Sequence, residues 1–227
     1  PALTAKIADE QMPEHVRELD APGVERVTMI DATPIGANVR STVATYSGVL
    51  DDLRRLYART EVAKARGLTA GAFSYNTGSL RCPTCDGTGQ ITLDVQFLPD
   101  VDIDCPDCHG TRYSDEAGEI TWEPKGGHAP VSLPDLLAMT VDEAREVFAG
   151  TSQRRLRAKL DTLHELGIGY MTLGESTPAL SGGEAQRLKL ASEMGRAQEG
   201  TLFVFDEPTI GLHPLDVRTL IGVFQKL

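Results

Sequence analysis

The chain has 227 residues, 41% of them hydrophobic and 24% charged, with a formal net charge of −11 and a pI of about 4.9. That length suits one large domain or two smaller ones; no apolar run approaches the roughly 18 residues that span a bilayer. The acidity excludes a uniformly basic nucleic-acid-binding surface, though not a local basic patch.

In chain order, Val24 to Asp31 suggests a short strand, followed by a turn-rich segment from Ala32 to Asn38. Residues 51–66 read as one helix, with Leu53, Leu56 and Tyr57 on its inner face and Gly67 as its stop. Between 71 and 123 helical periodicity gives way to Gly, Thr, Asp and Cys. Within that stretch Ile91 to Phe97 alternates strictly. It predicts a strand with Ile91, Leu93, Val95 and Phe97 on an apolar face and Thr92, Asp94 and Gln96 opposite. Helices return after Pro134. Thr140-Val141-Asp142-Glu143 fits a capping box, with Ala144, Val147 and Phe148 facing a core. A second helix runs from Ser152 to Leu166, with Leu156, Leu160 and Leu163 on one face and Gly167 closing it. From Leu180 to Leu227 the pattern is turn, helix, strand, turn, helix, which is α/β character.

The cysteines fall as two local repeats. Cys82-Pro83-Thr84-Cys85-Asp86-Gly87-Thr88-Gly89 is echoed by Cys105-Pro106-Asp107-Cys108-His109-Gly110-Thr111-Arg112. Each C-x-x-C turn can present two thiolates to one ion, and four thiolates close a tetrahedral, structural Zn²⁺ site. The alternatives are short disulfides or free thiols. The start of the chain carries no secretory signal, so an intracellular, cytoplasmic setting and metal are expected. His109 reads as a neighbour of the centre, since four cysteines fill it. A zinc site here fastens the base of a hairpin over 90–104. Asp94, Asp100, Asp102 and Asp104 make direct phosphate contact by that hairpin doubtful on charge. Arg81 and Arg112, and Arg154, Arg155, Arg157 and Lys159, are the better basic candidates, the last four being equally readable as a solvated helix face.

The second constellation lies downstream. Ser181-Gly182-Gly183-Glu184 is a capping box at a helix start, whose free N–H groups and dipole favour an anion. Leu188, Ala191 and Met194 should face inward. Leu202 to Phe205 reads as a fully buried parallel strand. Asp206 and Glu207 follow at its C-terminal end, where α/β ligand sites lie. Such a pair can hold Mg²⁺ through water and orient an attacking water. By itself the glycine turn is an ordinary helix cap and Asp-Glu-Pro an ordinary turn; together they describe a nucleotide site. No G-x-x-x-x-G-K-[ST] phosphate loop occurs in the 227 residues.

These residues resemble the UvrA family, the damage-recognition ATPase subunit of bacterial nucleotide excision repair. The resemblance is carried by Asp31 to Gly36, Ala44-Thr45-Tyr46, Phe73 to Asn76, both cysteine repeats, Phe97 to Asp100, Met139-Thr140, Leu180 to Arg187 and Asp206 to His213. It implies an α/β fold: a partial ABC-type ATPase core with a large, mainly helical signature-domain insert carrying a small zinc-bound β-hairpin module. The expected division is a core part over 1–45, the insert over 46–171 with its zinc module at 81–123, and a second core part over 172–227. The resemblance makes Asp206 the Walker B aspartate, Glu207 the catalytic glutamate, and Ser181, Gly182 and Gly183 the signature loop. Gly211-Leu212-His213 corresponds to the D-loop region. It implies ATP with Mg²⁺ and structural Zn²⁺ as cofactors, and damaged double-stranded DNA, a UvrB-like helicase subunit and a second copy as partners, with no membrane.

Two departures stand out. Where the family usually has Asp-Gln-Ser-Pro-Ile-Gly, this chain has Ala32 in place of the glutamine. That implies a less efficient site or a divergent paralogue of drug self-resistance type. The chain also reads as a fragment, expected to be inactive alone, with a phosphate loop before Pro1 and a switch histidine after Leu227. A DnaJ-like zinc module or a transporter-type ABC ATPase would each account for one constellation and leave the other unexplained.

Overall fold

A computed structural model of the chain describes residues 2–93, 101–124, 127–194, 199–209 and 214–225. The first elements are α1 (Ala2–Ile7), β1 (Arg26–Ile30), α2 (Val43–Tyr46), α3 (Val49–Tyr57) and α4 (Glu61–Ala65). A hairpin of β2 (Gln90–Leu93) and β3 (Val101–Asp104) follows, then α5 (Asp115–Gly118), β4 (Thr121–Trp122) and β5 (Val131–Ser132). The rest is α6 (Leu133–Ala138), α7 (Val141–Phe148), α8 (Arg154–Glu165), α9 (Gly182–Met194), β6 (Thr201–Phe205) and α10 (Pro214–Phe224).

Short polar side chains start the helices. Thr42, Ser132, Thr140 and Ser181 each accept from the amide three residues on, and Thr45, Asp135, Glu143 and Glu184 reach back. Gly67 and Gly167, at φ +66° and +73°, end α4 and α8 as expected. In each case the next residue's amide returns to the helix, Leu68 to the Ala63 carbonyl and Ile168 to that of Leu163.

The single helix expected over 51–66 is two. Thr60 Oγ1 donates to the Tyr57 carbonyl at 2.8 Å and accepts from the Ala63 amide at 3.3 Å, so it ends α3 and caps α4. A threonine inside an otherwise helical pattern competed with the backbone and won.

β1 and β6 pair in parallel, Arg26 opposite Thr201 through Ile30 opposite Phe205. The expected full burial of β6 does not hold. Phe203 and Phe205 pack against the core, but Leu202 is 41% exposed, as is Met29 at 56% on β1. The described sheet has two strands, and only one side of β6 is covered. The chain between β1 and β6 forms a mainly helical body. Its core includes Leu53, Tyr57, Phe73, Leu136, Phe148 and Leu160 and continues without a break to Ile30, Leu188 and Val223. Tyr57 donates its buried hydroxyl to the Val131 carbonyl at 2.7 Å, and Trp122 stacks on Phe148 at 4.9 Å. No described helix is long and apolar enough to cross a membrane.

Candidate functional site

The cysteine repeats meet at the base of the β2–β3 hairpin. All four sulfurs are buried and lie within 4.8 Å of one another. Cys82 and Cys105 are 3.9 Å apart, Cys85 and Cys108 3.6 Å. Four sulfurs at about 2.3 Å from one tetrahedral ion lie about 3.8 Å apart, so the donor set fits Zn²⁺. A disulfide, at about 2.05 Å, is not formed. His109 is outside the group.

The two turns are built alike, with an offset of 23 residues. Asp86 and His109 have φ of +51° and +49°, Gly87 and Gly110 +78° and +83°. Thr88 and Thr111 each donate Oγ1 to the carbonyl of the preceding cysteine, at 2.7 and 2.8 Å. These folds aim amides at the sulfurs, as in the 3.3 Å contact from Gly89 N–H to Cys85 Sγ. Burial pushes the Cys108 thiol up to about 12. Burial acts the same way on Cys85, but the Gly89 amide and the neighbouring sulfurs outweigh it and bring that thiol down to about 7.

The basic candidates divide. Arg112 is only 6% exposed and donates inward, to the carbonyls of Val39 and Thr88 and to Ser176 Oγ. It is therefore not a phosphate contact: its three acceptors are internal. Arg81 pairs with Asp86 at 3.0 Å. Arg155 and Lys159 both face Asp52, at 3.6 and 2.7 Å. Arg154 is exposed and Arg157 half-buried. On the hairpin, Asp102 accepts from Thr92 at 2.7 Å. Leu93, Val101 and Ile103 are exposed. Asp94, Val95, Gln96 and Phe97 to Asp100 lie outside the described residues, as do Gly211, Leu212 and His213.

In the second constellation, Ser181 caps α9 as expected. Its amide and hydroxyl donate to Glu184 Oε2 at 2.7 and 2.8 Å. The Tyr170 hydroxyl donates to the other carboxylate oxygen. Burial opposes ionisation of Glu184, but these donors outweigh it and hold the carboxyl below its usual range. Gly182 lies against Ala32; a β-carbon there would stand 3.0 Å from the Ala32 carbonyl and 3.1 Å from its methyl. Leu188 is fully buried, and Ala191 and Met194 pack on the core.

Asp206 and Glu207 follow β6 and are both exposed. Glu207 has φ +46°, a left-handed conformation that a non-glycine residue rarely holds away from a functional or tightly determined turn. What joins this acidic pair to the glycine turn is Gln186. Its amide, 3% exposed, donates to the Ile30 carbonyl at 2.9 Å and the Asp206 carbonyl at 2.6 Å. One side chain thus fixes α9 across the ends of both parallel strands. Lys189, one turn on, donates to Asp31 Oδ1 at 2.6 Å and to the Thr33 carbonyl and hydroxyl at 2.8 Å. That ammonium is the main reason the Asp31 carboxyl falls to about 2. The roles of Gln186 and Lys189 escape sequence reading. A polar residue at a core-facing helix position was the available signal.

No protein-family model matches the chain. UvrABC system protein A of Bacillus subtilis (strain 168) is 45% identical over 205 residues, 90% of this chain and 21% of that protein. The protein of the same name from Halalkalibacterium halodurans is 43% identical over 229 residues, 100% of this chain and 23% of that one. The crystal structure of UvrA2 from Deinococcus radiodurans superposes with a TM-score of 0.78 at 46% identity, covering 90% of this chain and 24% of that chain. The chain spans about a fifth of the length of the curated relatives it matches.

Proposed function

We propose, on the premise that this chain belongs to the UvrA family, that it is the part of a DNA damage-recognition ATPase that supplies one signature turn, one acidic pair and a structural zinc hairpin. The observation that carries this reading is Gln186, which ties the glycine turn's helix to the carbonyl of Asp206. In this reading residues 1–45 and 172–227 are core and 46–171 are the insert. Asp206 would hold Mg²⁺, and Glu207 would orient the attacking water from the exposed end of β6. Mg²⁺, when bound, neutralises charge on the phosphates. Ser181, Gly182 and Gly183 form the turn at the N-terminal end of α9 that would face the γ-phosphate of a site completed by a phosphate loop elsewhere. Cys82, Cys85, Cys105 and Cys108 hold Zn²⁺. The intact protein acts in the cytoplasm as a homodimer on damaged duplex DNA and passes it to a UvrB-like helicase.

The test is made on the intact protein. ATP turnover stimulated by damaged duplex, and lost with tight nucleotide retention in Glu207→Gln, is the expected result. Preference for damaged over undamaged duplex is expected in gel-shift. Equal binding to both, with turnover unaffected by Glu207→Gln, refutes the reading. The chain by itself has no lysine–amide cradle for the β- and γ-phosphates, so it is not expected to turn over ATP. Ala32 favours a second reading, a divergent paralogue of drug self-resistance type. Its methyl group packs on Gly182 and offers nothing to Mg²⁺ or water. Failure to restore ultraviolet resistance to a repair-deficient host, with restored tolerance of a DNA-binding drug, would select it.

A further inference from the structure

The two cysteine turns differ at three positions, Thr84 against Asp107, Asp86 against His109 and Gly89 against Arg112, and the last bears most on the backbone. Where the first has Gly89 at φ +80°, the second has Arg112 at φ +73°. A β-carbon disfavours that conformation, and glycine is the residue that accepts it freely. An arginine held there raises the question of what its side chain does.

The backbone of Arg112 serves the metal centre. Its N–H is directed at the Cys108 sulfur, and its carbonyl accepts from the Cys82 amide at 2.9 Å. The side chain leaves the centre. Nη1 donates to the Thr88 carbonyl at 2.7 Å and the Val39 carbonyl at 3.0 Å, and Nη2 to Ser176 Oγ at 2.8 Å. The guanidinium sits 5.3 Å over the Tyr75 ring, whose hydroxyl is 3.0 Å from Thr42 Oγ1 and donates to the Arg40 carbonyl at 3.1 Å. The first turn makes a reciprocal contact. Arg40 donates to the Asp86 carbonyl at 2.6 Å and its carboxylate at 3.2 Å. Both turns therefore grip residues 39 and 40.

Val39 follows the Asp31–Thr33 loop, and Ser176 precedes the Ser181 cap. Their two segments are bonded to each other, Val43 N–H to the Glu175 carbonyl at 3.0 Å and Thr177 N–H to the Ser41 carbonyl at 2.8 Å. We propose that Arg112 is a positioning residue that keys the cysteine centre to these paired segments, so that metal occupancy sets the placement of the chain leading into the glycine turn. The keying rests on geometry; its consequence for ATP rests on the function proposed above.

The experiment uses the intact protein as wild type, Arg112→Gly and Arg112→Lys. Glycine matches Gly89 in the first turn, so it preserves the turn and deletes the guanidinium. Lysine keeps the charge without the fork of donors. Zinc retention is read by competition with a chromophoric chelator, and segment order by hydrogen exchange at the Val43 and Thr177 amides. In Arg112→Gly, zinc retention stays within about threefold of wild type while exchange at both amides speeds up about tenfold or more. Chelating zinc from wild type produces the same acceleration, and from Arg112→Gly adds nothing. Arg112→Lys recovers only part of the protection. Unchanged exchange in Arg112→Gly overturns the proposal, and so does loss of zinc, which would make the arginine part of the metal site. Faster exchange with undisturbed ATP turnover supports the keying and refutes its link to nucleotide chemistry.

Discussion

Gly87 and Gly110 occupy equivalent places in the two cysteine turns and share a left-handed backbone, φ +78° and +83°. Their surroundings differ, which makes the pair a controlled test of how the cysteine module is seated. A β-carbon on Gly110 would meet nothing closer than Asp104 Oδ1 at 3.7 Å. Gly110→Ala should therefore cost only the left-handed strain, about 1–2 kcal/mol. A β-carbon on Gly87 would stand 1.8 Å from the Tyr75 carbonyl oxygen, where contact begins near about 3.3 Å. Relief needs a backbone shift of roughly 1.5 Å on that same contact scale. Tyr75 cannot give way cheaply: it is fully buried, edge-on to Tyr113 at 5.8 Å. Adding about 1–3 kcal/mol of overpacking puts Gly87→Ala at about 2–5 kcal/mol. The assay is urea unfolding of the zinc-loaded chain, read by fluorescence of Trp122, the one tryptophan, which stacks on Phe148. Zinc release to a chelator is followed in parallel. Gly87→Ala should be the worse by about 2 kcal/mol, or about 30-fold in the equilibrium constant. Equal losses in the two variants would refute the claim that the first turn, and not the second, is seated on Tyr75.

Gln186→Met removes both donors to the strand ends and should cost about 2–3 kcal/mol in urea unfolding; an unchanged midpoint would show that α9 is held by packing alone. For Asp31, the folded carboxyl at about 2 lies below its ordinary 3.8, so its stabilisation is complete above that ordinary value and disappears as pH falls toward 2. Solvent screening limits it to about 1 kcal/mol, and Lys189→Met should flatten the acid limb of the stability profile; an identical limb would remove the ion pair from the account. Chelating zinc should speed exchange first at the Cys82 and Cys105 amides while α7 and α8 stay protected, because among the described residues the cysteine cluster packs only Ile91 as an apolar neighbour and zinc supplies its folding energy locally. Simultaneous opening of both regions would contradict a locally built centre.

What could be read from sequence was local. Thr140 with Glu143 and Ser181 with Glu184 act within one helical turn, and Gly67 and Gly167 need only the residues before them. The cysteine repeats carry their spacing openly. What escaped is long-range or competitive. Thr60 breaks a helix that periodicity alone would continue. Leu202 looks like a buried strand residue because composition does not say which faces are covered. Arg112 looked like a surface cation beside a metal, but its partners Val39 and Ser176 lie 73 and 64 residues away. Gln186 reaches a carbonyl 156 residues back in the chain. No window of sequence contains those pairs.

The way the cysteine module is attached constrains what it can do. Its sulfurs form a cluster separate from the main core, to which Tyr113, Ala117 and Ile120, just after the second turn, belong. The links made by the cysteine turns themselves are polar and directional: Arg112 to Val39 and Ser176, and Arg40 to Asp86. The Tyr113 hydroxyl adds another, to the Phe73 carbonyl at 2.7 Å. Apolar contacts tolerate sliding, whereas forked hydrogen bonds specify angle as well as distance. A module held this way keeps a fixed heading relative to residues 39–40 and 176. The hairpin it carries, with Leu93, Val101 and Ile103 exposed, is therefore aimed by the chain segments that lead toward Ser181. A displacement at either end has a stiff path to the other, and that path runs through Arg112.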